Sequence, residues 1–120
     1  MKASYWLGCV VMFSTTVLPA IAQNPGDAAL GKEKAVVCLS CHGAAGMSAG
    51  PNIPHLAGQR SEYFVSSLKA YKSRNRSDPL AVLMYPFADK LSEKDMWDLA
   101  VFYEALPAAP SSRDSAEAEQ

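Results

Sequence analysis

Apolar positions recur with a helical rhythm in three stretches of the chain, and one further apolar run has no rhythm at all. The unpatterned run comes first, from about Tyr5 to Leu18, after Lys2 and before Pro19-Ala20-Ile21-Ala22. One positive residue, a short apolar stretch and an Ala-x-Ala site describe a secretory signal peptide over residues 1–22, cut after Ala22. An uncleaved membrane anchor is the alternative, but the run falls short of the ~20 residues a spanning helix needs. Beyond it, Asp27 is placed to cap a helix reaching about Cys41, with Leu30, Lys34, Val37, Cys38 and Cys41 on one side. Gly31 inside this helix costs about 1 kcal/mol relative to Ala, which points to close approach by another helix. From Gly43 to Gly58, the residues Gly43, Gly46, Gly50, Pro51, Pro54 and Gly58 exclude long regular structure.

A second helix is expected from Ser61 to about Lys72, with Phe64, Leu68 and Tyr71 at i, i+4 and i+7. Ser73 to Pro79 is a polar break, and Leu80 to Phe87 reads as a loop-like apolar segment holding Met84 and interrupted by Pro86. The final helix carries the strongest signals: Ser92-x-x-Asp95 resembles a capping box, Met96, Leu99, Ala100 and Tyr103 form a stripe, and Pro107 follows. No convincing period-2 strand is present. The expected fold class is all-α, with three to four helices and long loops.

Composition narrows the function. The 120 residues carry 11 basic and 12 acidic side chains, a formal charge of −1, which argues against a nucleic-acid partner. The 49% apolar content excludes general disorder, although part of it sits in the first 22 residues. Without them, 98 residues remain with 10 basic and 12 acidic side chains, a charge of −2. Residues 108–120 read as a disordered, solvated tail. The exported domain, 23–107, therefore holds a folding unit of about 85 residues, small enough to call for a staple or a prosthetic group.

Cys38-Leu39-Ser40-Cys41-His42 is the C-x-x-C-H pattern of covalent c-type haem attachment. The three-residue spacing lets two thiols on one helical turn reach the two vinyl groups of one porphyrin edge, and the next residue, His42, is directed at the iron. Three other readings compete. A thioredoxin-like pair lacks its βαβ context. A zinc site from Cys38, Cys41, His42 and His55 has the ligand count but a poor tetrahedral arrangement. A Cys38–Cys41 disulfide closes too small a loop to stabilise much.

For the opposite side of the iron the candidates are Met47, Met84, Met96, His55 or no protein ligand. The five residues from His42 to Met47 span about 17 Å at most, which leaves no slack around a porphyrin. Met96 lies on a core stripe and His55 between Pro54 and Leu56. Met84, 42 residues after His42, leaves room for a helix and a turn around the ring and is the favoured ligand. His/Met ligation suits electron transfer, because it raises the potential and leaves no open coordination site.

The chain resembles a class I bacterial c-type cytochrome, most of all a single haem domain of the cytochrome c4 group. The resemblance rests on Gly31-Lys32-x-Lys34-x-x-Val37-Cys38-x-x-Cys41-His42-Gly43, then Pro51-Asn52-x-Pro54-x-Leu56-Ala57-Gly58-Gln59, Tyr63, Leu68, Met84, Leu91-Ser92-x-x-Asp95 and Leu99-Ala100-x-Phe102-Tyr103. It covers about residues 26–106. It implies a first and last helix packed together beside the haem, with Gly31 admitting the Phe102/Tyr103 region. It also implies a proline carbonyl accepting the other N–H of His42, from Pro51 first and Pro54 second, and Arg76, near a position where related domains carry an arginine, meeting a haem propionate. A solvated Arg76 is the competing reading. Cytochrome c4 proteins carry two such domains, whereas this chain holds one attachment motif.

The expected protein is a periplasmic electron carrier rather than an enzyme, with one covalent haem c and no membrane span once the signal is removed. Its partners would be redox proteins, such as a flavoprotein or a membrane-bound oxidase or reductase. The alternatives are the cytochrome subunit of a larger oxidoreductase, for example a flavoprotein sulfide dehydrogenase, and a haem sensor or catalyst with open iron. Lys69, Lys72, Arg74 and Arg76 form either a solvated face or a patch that steers an acidic partner.

Overall fold

The computed structural model describes residues 25–108, so the expected signal peptide and the tail from Ala109 onward lie outside the described residues. Asp27 starts the first helix as its composition suggests: its carboxylate accepts the amides of Ala29 at 2.8 Å and Leu30 at 3.1 Å. Helix α1, Ala28–Lys34, tightens into a 3₁₀ turn at Ala35–Val37, and Cys38 opens the single-turn α2, Leu39–His42. The helix expected to reach Cys41 is thus an interrupted run. Its buried face also differs from the expected one. Gly31, Ala35 and His42 are buried and Cys38 is half-buried, while Leu30 and Val37 face outward. Small side chains decide this, because they admit the neighbouring helix where Leu30 and Val37 would hold it off.

That neighbour is α5, Glu93–Glu104, opened by Ser92 with a complete capping box to Asp95. The stripe Met96, Leu99, Ala100 and Tyr103 is buried throughout. A Cβ on Gly31 would collide with the Asp98 carbonyl and lie 2.8 Å from Phe102 Cβ, so α1 and α5 cross with their backbones in close contact. Charge closes the same crossing. Asp98, fully buried, accepts the Asp27 amide at 2.7 Å, Lys34 Nζ at 2.5 Å and Lys94 Nζ at 2.9 Å. Lys34 also reaches Asp95 at 2.7 Å.

Helix α3, Ser61–Lys72, buries Phe64, Val65, Leu68 and Tyr71. Phe64 stacks on Tyr103 with ring centroids 5.5 Å apart, which locks α3 to α5. The segment around Met84 departs from expectation: Ala81–Lys90 is a helix, α4, that runs through Pro86. Proline there removes one intrahelical bond. Burial of Ala81 and Ala88 beside Tyr71 and the bond from Tyr85 Oη to the Arg76 carbonyl, 2.9 Å, hold the helix in place against that loss. The described residues therefore form four helical segments, counting the interrupted first run as one, and no strand.

Candidate haem-attachment site

The site is built where the first run ends. The Cys38 carbonyl accepts the His42 amide at 2.9 Å, and the Gly43 amide returns to the Leu39 carbonyl at 3.0 Å. Gly43 has φ 81°, a conformation that lets the chain turn away sharply after His42. Cys38, Cys41 and His42 consequently lie within a little over one helical turn. Both cysteines are free thiols, Cys38 half-buried and Cys41 exposed. Burial pushes the Cys38 thiol up, and the neighbouring Tyr103 hydroxyl acts in the opposite direction.

The loop from Gly43 to Gly58 folds back over His42. The Gly46 carbonyl accepts the amides of Leu56 at 2.8 Å and Ala57 at 3.1 Å, and the Gly58 amide bonds the Tyr103 carbonyl at 2.8 Å. This closure brings the Pro54 carbonyl to 2.8 Å from Nδ1 of the buried His42 imidazole. A carbonyl only accepts, so Nδ1 carries the proton and Nε2 keeps its lone pair for a ligand. The carbonyl on His42 is therefore not that of Pro51, the first candidate. Pro51 sits exposed in the turn closed by the Ile53 amide on the Gly50 carbonyl, 3.2 Å, which carries it away from the ring. His55 is engaged elsewhere, its Nδ1 accepting the Ser48 amide at 2.9 Å. Among the described residues, no group of three or more His, Cys, Asp or Glu side chains is arranged to hold a metal ion.

Met84 is half-buried on α4, packed against both the main core and the smaller cluster of Tyr71, Ala81 and Ala88. Leu80, Leu83, Met84 and Phe87 fall at i, i+3, i+4 and i+7, one face by helical spacing. Leu80, Leu83 and Phe87 on it are 41%, 55% and 42% exposed. A methionine centred in an apolar, uncovered face is a suitable seat for an apolar macrocycle with a soft axial ligand. Tyr103 supplies a second indication, since its buried hydroxyl has no hydrogen-bond partner among the described residues. The donor set and its surroundings thus fit a covalent haem, held by Cys38 and Cys41 and reached by His42 Nε2.

The basic run is largely neutralised. Lys69 pairs with Glu93 at 2.5 Å, Arg74 makes a two-pronged bridge to Asp89 at 2.8 and 2.9 Å, and Arg76 meets Asp78 at 3.2 Å. Arg74 lies over the Tyr85 ring at 4.3 Å and Arg76 over Tyr71 at 4.8 Å. Lys72 donates to the Leu91 carbonyl at 2.5 Å. The solvated, ion-paired face describes this run better than a bare cationic patch. Sequence reasoning missed the run's partners Asp89 and Glu93, and separately missed Asp98, the buried acid that Lys34 and Lys94 share.

A small all-helical domain with a C-x-x-C-H turn beside a methionine-bearing apolar face defines a c-type haem protein. The chain belongs to the cytochrome c family, whose model matches residues 28–106, and within it to the class I cytochromes of the c4 group. It is 44% identical over 78 residues to cytochrome c-554(548) of Halomonas halodenitrificans, covering 65% of this chain and 94% of that protein. It is 35% identical over 81 residues to a thiosulfate dehydrogenase electron acceptor of Thiomonas intermedia, covering 67% of this chain and 37% of the relative. The structure of reduced recombinant cytochrome c4 from Pseudomonas stutzeri superposes with a TM-score of 0.61 at 32% identity, over 70% of this chain and 47% of that one. The chain spans about half the length of the cytochrome c4 relatives it matches. It carries a covalent c-type haem and is an electron-transfer protein rather than an enzyme. No helix among the described residues is long and apolar enough to cross a membrane.

Proposed function

We propose that this chain is a periplasmic carrier of single electrons whose haem, attached through Cys38 and Cys41, has His42 and Met84 as its axial ligands. When bound, the haem supplies an iron that alternates between Fe(III) and Fe(II). The chain's part is to hold that iron six-coordinate and shielded, so that an electron enters and leaves with little rearrangement. The observation that carries the reading is the hydrogen bond from His42 Nδ1 to the Pro54 carbonyl, which orients the ring and reserves Nε2 for iron. Met84 supports it by its place on the uncovered apolar face of α4. Asp78 uses one of the five N–H donors of Arg76, which leaves others for a haem propionate. Residues 1–22 direct export and are removed.

Replacing Met84 by Ala tests the ligand assignment. The reduction potential falls and the reduced protein binds carbon monoxide; an unchanged potential with no carbon monoxide binding rejects Met84 as ligand. A second reading, an electron-accepting subunit of a larger oxidoreductase, is favoured by the relative named as an acceptor for thiosulfate dehydrogenase. Its expected partner is a redox enzyme. Co-purification of an enzyme chain with the native protein supports that reading, and a fully functional monomer opposes it.

A further inference from the structure

Tyr103 is fully buried near the C-terminal end of α5, yet its hydroxyl meets no hydrogen-bond partner among the described residues. An unpaired buried hydroxyl is destabilising, and phenylalanine would stack on Phe64 as well without it. The ring is held on several sides: Phe64 stacks at 5.5 Å, Phe102 tilts against it at 5.0 Å, and a Cβ on Gly46 would lie 3.1 Å from Tyr103 Cδ1. The group close enough to act on its titration is the Cys38 thiol, whose side chain packs against the same core cluster. Burial and that thiol together keep the phenol protonated far above neutral pH, so the oxygen is a standing donor.

Attachment changes what Cys38 offers this donor. As a thiol, Cys38 carries its own proton. When the S–H adds across a haem vinyl group, the proton goes to one vinyl carbon and the sulfur bonds the other, with no net oxidation or reduction. The resulting thioether sulfur accepts and cannot donate. We infer that Tyr103 is a positioning residue for the haem, its hydroxyl donating to the Cys38 sulfur once the thioether has formed. The bond gives the orphan hydroxyl its acceptor and fixes the Cys38 edge of the haem against α5. By drawing electron density from the sulfur it also favours the ferrous state. The inference rests on covalent attachment at Cys38.

The test compares the wild-type holoprotein with Tyr103→Phe. The wild-type thioether C–S band in resonance Raman shifts on exchange from H₂O to D₂O, and the variant's band does not. The variant's reduction potential falls, and its unfolding equilibrium constant rises about five-fold, the loss of one ordinary hydrogen bond. Loss of a buried hydroxyl with no role toward the haem acts the other way, raising the potential by lowering local polarity and leaving stability equal or improved. A C–S band insensitive to D₂O in the wild type, or a potential unchanged or raised in the variant, overturns the inference. A wild-type chain that carries no thioether-bound haem overturns instead the reading on which it rests.

Discussion

Asp98 offers the sharpest quantitative check on how this fold is held. Its carboxylate is completely buried at the α1–α5 crossing. Burial alone would push the carboxyl up, but Lys34, Lys94 and the Asp27 amide outweigh it and bring the pKa down from 3.8 to about 2. A lowered folded-state value means that stability is fully present above the unfolded pKa and is lost as pH falls through the folded one. The drop is close to two pH units, and at 1.36 kcal/mol per unit the contribution is about 2 kcal/mol at neutral pH. Asp98→Asn keeps the shape and most of the volume while removing the charge. Denaturant unfolding of the holoprotein, followed by far-UV circular dichroism, should show the variant less stable by about 2 kcal/mol at pH 7. Between about pH 4 and pH 2 the gap should close, because the wild-type carboxylate is then protonated on unfolding and finally in the native state. Comparing the two proteins at each pH removes the acid sensitivity that both share, including Asp95, whose carboxyl Lys34 also holds well below the ordinary range. A gap under about 0.5 kcal/mol at pH 7, or one that persists undiminished at pH 2, would refute the reasoning.

Three further outcomes are expected. Gly31→Ala gains up to about 1 kcal/mol of helix propensity but forces a methyl group into the Asp98 carbonyl and Phe102, so the denaturation midpoint should fall by the equivalent of about 1–3 kcal/mol. Ser92→Ala removes one half of the capping box on α5, and thermal or denaturant unfolding should register a loss of about 1 kcal/mol. His55→Ala deletes the acceptor of the Ser48 amide yet leaves the haem absorption spectrum in place; a change of axial ligation in that variant would reassign His55.

What the sequence determined by itself was the chemistry and the periodic elements. C-x-x-C-H is local, since all its members fall on one turn, and so Cys38, Cys41 and His42 were legible without any knowledge of the fold. Helices α3 and α5 were equally legible, because a one-sided apolar stripe, joined in α5 by the Ser92 cap, is encoded within a dozen residues. Gly31 announced a helix crossing through its cost alone, and the family resemblance named the last helix as the one that crosses there. Tertiary structure decided the rest. Pro86 reads locally as an interruption, and tertiary contacts, the packing of Ala81 and Ala88 on Tyr71 and the Tyr85 bond to the Arg76 carbonyl, keep α4 intact through it. The choice of Pro54 over Pro51 depends on how the Gly43–Gly58 loop closes on Gly46, a matter of backbone hydrogen bonds that no residue type reports. Whether the basic run was a solvated face or a steering patch stayed open in the sequence, because Glu93 and Asp89 lie 24 and 15 positions from Lys69 and Arg74, and Asp98 could be matched to Lys34, 64 positions earlier, only in the fold. Local propensity and motif spacing act within a few turns of chain, whereas charge pairing and carbonyl placement depend on distances that exist only after the helices have packed.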